Sequence, residues 1–385
     1  MKHLDRVSTL RVCLFSLVFS LVLMLTAGPS STDPHKREWL ALGQLHGVRS
    51  AQTVHEEYCQ NYQDEQLEDK NDPNIPDRPP FVQSDYLPTP MNINIFEQMC
   101  RISEGQRPSV NPCTNHDFPL LINAPGLCLP NQPVDVLLLI SSNVTNYEQR
   151  DAIRRFWANA ACWLGAKVKH VFLLDKLPPS TSTDQSAMEE GDIYSDIVQQ
   201  KFVVDHENAT SYKLLLGFRW TLAYCPQAKW LMFVNDDQFV NPFNTVSFLL
   251  SVSEAMRQRV VVGSVWYEPF ARNVDSFLYF NGNRSEPDKR YPTFVATSGM
   301  LVSSVLAARI YLTMRFTQLD THPDLFFARV LRKLFILPAH FSDIYAHNRI
   351  PQDAQKYERA ILFPSGGKAN QSEAWELLKC GKYCQ

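Results

Sequence analysis

The sequence predicts an α/β fold around a mixed, mainly parallel sheet, and three observations carry that prediction. Short apolar runs alternate with helical patterns from Val134 onward, the texture of strands joined through crossover helices. A helix-start signature, Thr145-Asn-Tyr-Glu148, follows directly on the first run. A later run ends in Asn235-Asp236-Asp237 and passes straight into a second helix signal at Asn241-Pro242.

Taken in order, Val134 to Ile140 reads as the first strand, followed by strands at Val168 to Leu174, Lys201 to Val204 and Lys229 to Val234. Thr145 with Glu148 three residues on is a capping box ahead of Ile153, Phe156, Trp157 and Ala160. Open α/β sheets bind ligands outside the carboxyl ends of their strands, and a helix opening there offers N–H groups to a phosphate. Ser141, Ser142 and the stretch Arg150 to Arg154 are placed at such a point. Arg154 suits a nucleotide's phosphate or base and equally an ion pair on a helix face. Val260 to Val265 is a further strand, and Trp266 and Tyr267 after it suit sugar stacking and core packing alike. Trp157, Trp220 and Trp230 are expected in the core.

Ahead of this region the texture is different. Lys2, Arg6 and Arg11 precede an uncharged apolar run from Val12 to Ala27 that ends at Gly28-Pro29, a segment that inserts into a membrane with its basic flank on the cytoplasmic side. A cleavable signal peptide and an uncleaved anchor both fit the run, and the poor small-x-small pattern at Thr26 to Pro29 favours the anchor. The expected organisation is a cytoplasmic tail at 1–11, a signal anchor at 12–28, a lumenal stem at 29–132 and a catalytic domain at 133–385. The stem is polar, acidic around Asp64 to Asp72 and proline-rich from Pro73 to Pro90, with local order expected near Cys100, Cys113 and Cys128.

A lumenal compartment agrees with the nine cysteines, of which all but Cys13 lie beyond the apolar run and suit an oxidising environment. Their pairing is not readable, except that Cys380 and Cys384 suggest a disulfide-tied tail. Glycosylation triplets begin at Asn143, Asn208, Asn283 and Asn370. The net charge of -3 gives no cationic field for nucleic acid. Ten histidines form no HExxH constellation, so a His-ligated metal is not expected.

The acidic turn carries most of the chemistry. Carboxylates at a strand end project into the ligand crevice, and a hard cation such as Mn²⁺ or Mg²⁺ takes oxygens from one or two of them plus phosphates. Solvated turn aspartates or a helix cap are the plain alternative. Asp324, in Thr321-His-Pro-Asp324, is likewise either a helix N-terminal acid or a catalytic group.

The passage resembles the Asp-x-Asp region of the β1,3-galactosyltransferase and β1,3-N-acetylglucosaminyltransferase family, and the resemblance runs through ordered blocks. Arg150-Asp-Ala-Ile153-Arg154-Arg-Phe-Trp157 is similar to the family's Arg-x-x-Ile-Arg-x-x-Trp, and Glu189-Glu190 leads to Tyr194-Ser-Asp196-Ile197 as in its next block. Lys213, Arg219-Trp220 and Cys225-Pro226 follow at matching distances. Tyr291-Pro through Gly299 resembles the acceptor-side loop, and Pro323-Asp324-Leu325-Phe326 the Glu-Asp-Val-Tyr segment.

The resemblance implies a GT-A-like, Rossmann-type fold and an inverting transfer from a UDP-sugar, galactose or N-acetylglucosamine, to a glycan hydroxyl on a glycoprotein or glycolipid in β1,3 linkage. It implies Asp237 as the ligand of Mn²⁺ or Mg²⁺, Asp324 as general base, and Ser141, Arg150, Arg154, Asn235 and Asp236 on the donor. It also implies a single-pass type II protein of the Golgi membrane. The chain departs from the pattern at Phe233 for lysine, Asn235 for the first aspartate, Thr297 for glycine, Met300 for tyrosine, Pro323 for glutamate and Ala328 for glycine. The losses at Asn235, Pro323 and Thr297 motivate a competing reading, an inactive lumenal homologue that chaperones or scaffolds another transferase, and a third reading is a secreted glycan-binding protein without transfer.

Overall fold

The structure is a computed structural model that describes residues 93–384 apart from 105, 114–117, 176–182, 202–208, 254–256, 258–259, 268–291, 347–350, 352 and 366–367. The expected tail and anchor and most of the expected stem lie outside the described residues. Among the described residues no helix is long and apolar enough to cross a membrane.

In chain order the elements are α1 (Ile95–Ser103), β1 (Leu120–Ile122), β2 (Val134–Ser142), α2 (Tyr147–Arg155), β3 (Val168–Leu174), α3 (Thr183–Tyr194), β4 (Ile197–Gln200), α4 (Ala209–Tyr224) and β5 (Ala228–Asn235). There follow β6 (Gln238–Val240), α5 (Pro242–Ser251), β7 (Val261–Trp266), β8 (Phe294–Ser303), α6 (Ala307–Arg315), α7 (Pro323–Lys333), β9 (Ala339–His340), α8 (Ala354–Arg359), β10 (Leu362–Pro364) and α9 (Lys368–Leu377). An eight-stranded sheet has the order β1-β4-β3-β2-β5-β8-β7-β9. Its centre, β4-β3-β2-β5, is parallel, while β1, β8 and β7 join by antiparallel pairing. The predicted mixed α/β fold with helices on its faces is the one observed.

Central strands are apolar on both faces, as parallel strands covered by helices must be. In β2, Leu137 and Leu139 pack with α4, α6 and α7 on one face, while Val136, Leu138 and Ile140 pack with Trp157 and Trp163 on the other. Trp157, Trp220 and Trp230 are all buried.

Three details differ from the sequence reading. The third parallel strand among the described residues is Ile197–Gln200, where Ile197 and Val198 bury and pair with Phe172 and Leu173, and the expected strand at Lys201 to Val204 lies outside the described residues from 202 onward. The capping box is absent: the cap of α2 is Asn146, with no side-chain bond to its own helix, and the Thr145 hydroxyl instead donates to Asn143 Oδ1. The border between stem and domain is also not a packing border, since Ile95, Met99 and Ile102 of α1 and Cys128 belong to the core cluster under α4 and α6.

Among the described residues, the disulfides Cys128 to Cys225 and Cys162 to Cys384 staple the periphery. The tail is therefore tied to the turn after α2 and not to Cys380, which is a buried free thiol whose pKa burial pushes up to about 11.

Candidate functional site

The carboxyl ends of β2 and β5 lie side by side, with Ser141 registered against Asn235. On the other flank of β5, β8 runs antiparallel with Val234 opposite Gly299, which brings Thr297 and Ser298 to the same end. Helix α7 closes the third side. Its cap His322 and the N1 proline Pro323 start it where Asp324 falls in the first turn. These elements enclose a cavity of ≈ 170 Å³ lined by Ser141, Lys213, Asn235, Thr297, His322 and Asp324 together with apolar residues of β2, β3, β5 and α4.

Asp324 is buried at 4% exposure, and its Oδ1 accepts from the Thr297 amide at 2.8 Å and the Thr297 hydroxyl at 2.6 Å. The helix N-terminus adds a favourable field for the ionised form. His322 beside it has Nδ1 2.9 Å from the Thr321 hydroxyl and 3.4 Å from Asp320. Burial pushes the Asp320 carboxyl up, but hydrogen bonds from His322 and the charge of Arg329 outweigh it and bring its pKa to about 2.

At the end of β5 the two aspartates have separate environments. Asp236 is buried, with Oδ2 accepting from the Ser142 hydroxyl at 2.7 Å and from Asn146 Nδ2 at 2.9 Å. The helix cap was spent on that bond. Asp237 presents an exposed surface, while its backbone carbonyl accepts from Ser365 N at 2.9 Å. Crowding by protein on its other sides, then the charge of Asp236, raises its pKa; the two facts agree for a carboxylate on the rim of a concavity, open to solvent on one side only. Gln371 of α9 fixes the same turn by donating to the carbonyls of Asp236 and Gln238 and accepting from Trp157 Nε1.

Among the described residues no group of three or more His, Cys, Asp or Glu side chains is arranged to hold a metal. Asp237, short of positive charge and open to solvent, fits a cation only if ligand oxygens complete the coordination, as happens where one carboxylate and a diphosphate share a Mg²⁺ or Mn²⁺.

Ser141, Asn235 and Asp324 thus line one cavity, and Asp236 and Asp237 follow Asn235 in the chain. Arg150 and Arg154 do not line it. Arg150 Nη2 lies 2.6 Å from Glu190, and its Nη1 donates to Ser142 Oγ and the Asn143 carbonyl. Arg154 bridges Glu190 at 2.8 Å and Asp196 at 2.7 Å, its guanidinium stacked over Tyr194. Burial opposes these charges, but their mutual bonds prevail, raising the Arg154 pKa and lowering that of Asp196. Arg150 supports the loop after β2, and Arg154 ties α2 to α3 and to Asp196 ahead of β4. Asn143 on that loop is exposed and Asn370 lies in α9, whereas Asn208 and Asn283 fall outside the described residues. Trp266 packs on Phe294, ring centroids 6.0 Å apart, and Tyr267 beyond it is exposed.

Lys213 was quoted in the resemblance without a role. Its ammonium is buried, 3.2 Å from the Ser142 carbonyl and 3.6 Å from Asp175. A lysine set between Tyr212 and Leu214-Leu215-Leu216 is a visible signal, since a charge inside an apolar helix face needs a reason to be there. His322 and Ser298 carried no comparable signal.

Comparison with known proteins places the chain. The profile described as "Galactosyl_T: Galactosyltransferase" matches residues 148–341. Human β-1,3-galactosyltransferase 1 is 31% identical over 272 residues, 71% of this chain and 82% of the relative, and human β-1,3-galactosyltransferase 2 is 29% identical over 70% of this chain and 63% of that protein. Among solved structures, the apo form of the WbbM bifunctional glycosyltransferase covers 66% of this chain and 53% of its own at 12% identity, with a TM-score of 0.34, too distant to carry an argument. On the profile match and the identity to these relatives, the chain belongs to the galactosyltransferase family and is a glycosyltransferase.

Proposed function

We propose that the chain transfers a hexose, galactose or N-acetylglucosamine, from a UDP-sugar to a glycan hydroxyl in β1,3 linkage, with inversion at the anomeric carbon. The observation that carries this reading is that Asn235, at the tip of β5, and Asp324, at the start of α7, line one cavity. Asp324 takes the proton of the acceptor hydroxyl as its oxygen bonds to the anomeric carbon and the bond to the diphosphate breaks. A base must lie within hydrogen-bond reach of the attacking hydroxyl and apart from the leaving group, which separates the roles of Asp324 and Asp237. Asn235 and Ser141 hold the donor, and the Lys213 ammonium supports its negative charge. A Mn²⁺ or Mg²⁺ ion bound through Asp237 would supply charge neutralisation to the diphosphate.

The family relatives, the cysteine pairing and the exposed triplet at Asn143 support a lumenal domain. With the N-terminal apolar run they support a type II protein of the Golgi membrane, glycosylated at Asn143 and at the other triplets. The test is a UDP-sugar screen on the full-length chain with and without Mn²⁺. Asp324→Asn is expected to lose roughly 10²–10⁴-fold in turnover while keeping its fold. A variant at the wild-type rate would remove Asp324 from the mechanism, and an inert wild-type chain across the screen would favour the scaffold reading.

A further inference from the structure

The carboxylate read as the base receives two hydrogen bonds from one residue, Thr297. Glycine can offer the amide bond to Asp324 Oδ1, but only the threonine offers the second donor, its hydroxyl at 2.6 Å. Both side chains are buried, Thr297 at 7% and Asp324 at 4%, and both line the cavity. A hydroxyl bonded to an ionised carboxylate is charge-assisted, so it favours the charged form over the neutral one. It also fixes the plane of the carboxylate relative to β8, because two donors from one residue converge on one oxygen.

We propose that Thr297 is a positioning residue that holds Asp324 ionised and oriented, so that this site keeps its base active at a more acidic pH than the same site with glycine. The proposal rests on the reading of Asp324 as the base.

Other titratable groups facing Asp324 must be kept apart from this effect. Among the described residues, those that share the cavity are Lys213 from α4 and His322 from the turn before α7. Strand β8 brings none, and the lysine of β5, Lys229, sits at the far end with Asp135. Arg329 of α7 is paired with Asp320 at 2.8 Å. The field of the helix N-terminus is common to every variant.

The experiment compares the full-length wild type with T297V, T297G and T297S, and follows two readouts. The first is kcat/KM against pH. The second is titration of the aspartate side-chain carboxyls by carbon-13 NMR, with the Asp324 signal identified by its loss in D324N. Removing a hydrogen bond to the ionised form raises the pKa, so the acid limb and the Asp324 midpoint are both expected to move up by about one pH unit in T297V and T297G. T297S is expected to restore both, and the shift is expected to persist in an H322Q background. An unmoved Asp324 midpoint in T297V overturns the proposal whatever happens to the rate, as does a shift that disappears with His322. D324N at full rate instead overturns the base reading, and is told apart because the midpoint still reports on Thr297.

Discussion

Charge is handled in opposite ways on the two sides of the cavity. Behind β2, β3 and β4, Arg150, Arg154, Glu190 and Asp196 neutralise one another in a buried lattice with contacts of 2.6–2.8 Å, and His170 Nε2 lies 2.9 Å from Asp196. At the cavity, Asp324 Oδ1 accepts from the amide and the hydroxyl of Thr297, and at the end of β5 Asp237 stands exposed, its pKa raised first by crowding and then by the charge of Asp236. A buried charge matched by an opposite charge is chemically quiet and serves to shape a loop. Proximity to the ligand crevice therefore does not separate the two kinds of residue; the partner does.

The contrast can be broken most forcefully on the scaffold side. Arg150→Ala leaves Glu190 short of its shortest partner and frees the carbonyls of Asn143 and Val144, and about 3–5 kcal/mol of stability is expected to go with it. Urea denaturation measures this, and a loss below about 1 kcal/mol would erase the distinction drawn between the two sides.

A smaller effect is expected on the far side, in the turn that delivers α7. The folded pKa of Asp320, about 2, lies below its unfolded value, so its contribution is present above about pH 4 and is lost as pH falls toward 2. From the shift that amounts to about 2 kcal/mol. Stability of the wild type is expected to fall by that much more than that of Asp320→Asn across this window. Parallel curves for the two proteins would mean that Arg329 and His322 do not hold the turn through charge.

The smallest effect calibrates a neutral bond in the same neighbourhood. Asn241 caps α5 through its Oδ1 to Asn244 N at 3.2 Å. Asn241→Ala is expected to cost about 1 kcal/mol, read as a shift in the thermal midpoint. A cost as large as that of Arg150→Ala would show that the acidic turn, not the ion-pair lattice, anchors this end of the sheet.

Much of the fold was legible because the physics that sets it is local. The strands at Val134 and Val168 and the strand leading into the acidic turn are unbroken apolar runs, and Asn241-Pro242 announces a helix wherever it stands. The shared placement of Ser141, Asn235 and Asp324 at one cavity was legible in part, because they lie at element ends, where side chains reach a crevice. For Arg150 and Arg154 the chain could not record the pairing, because a cation near a crevice reads the same whether it awaits a phosphate or already has Glu190 and Asp196. The capping box at Thr145 failed for a related reason, as Asn146 turned to Asp236 and left its own helix unsatisfied.

By itself, then, the sequence determined the strand pattern, the acidic turn and the family, since each depends on residues close together in the chain. Tertiary structure alone decided which partner each charge meets, because that depends on residues brought from far away. Glu190 reaches Arg150 over 40 residues and Gln371 reaches the carbonyl of Asp236 over 135. Thr297 meets Asp324 over 27, and no periodicity or spacing records contacts made by folding β8 against α7.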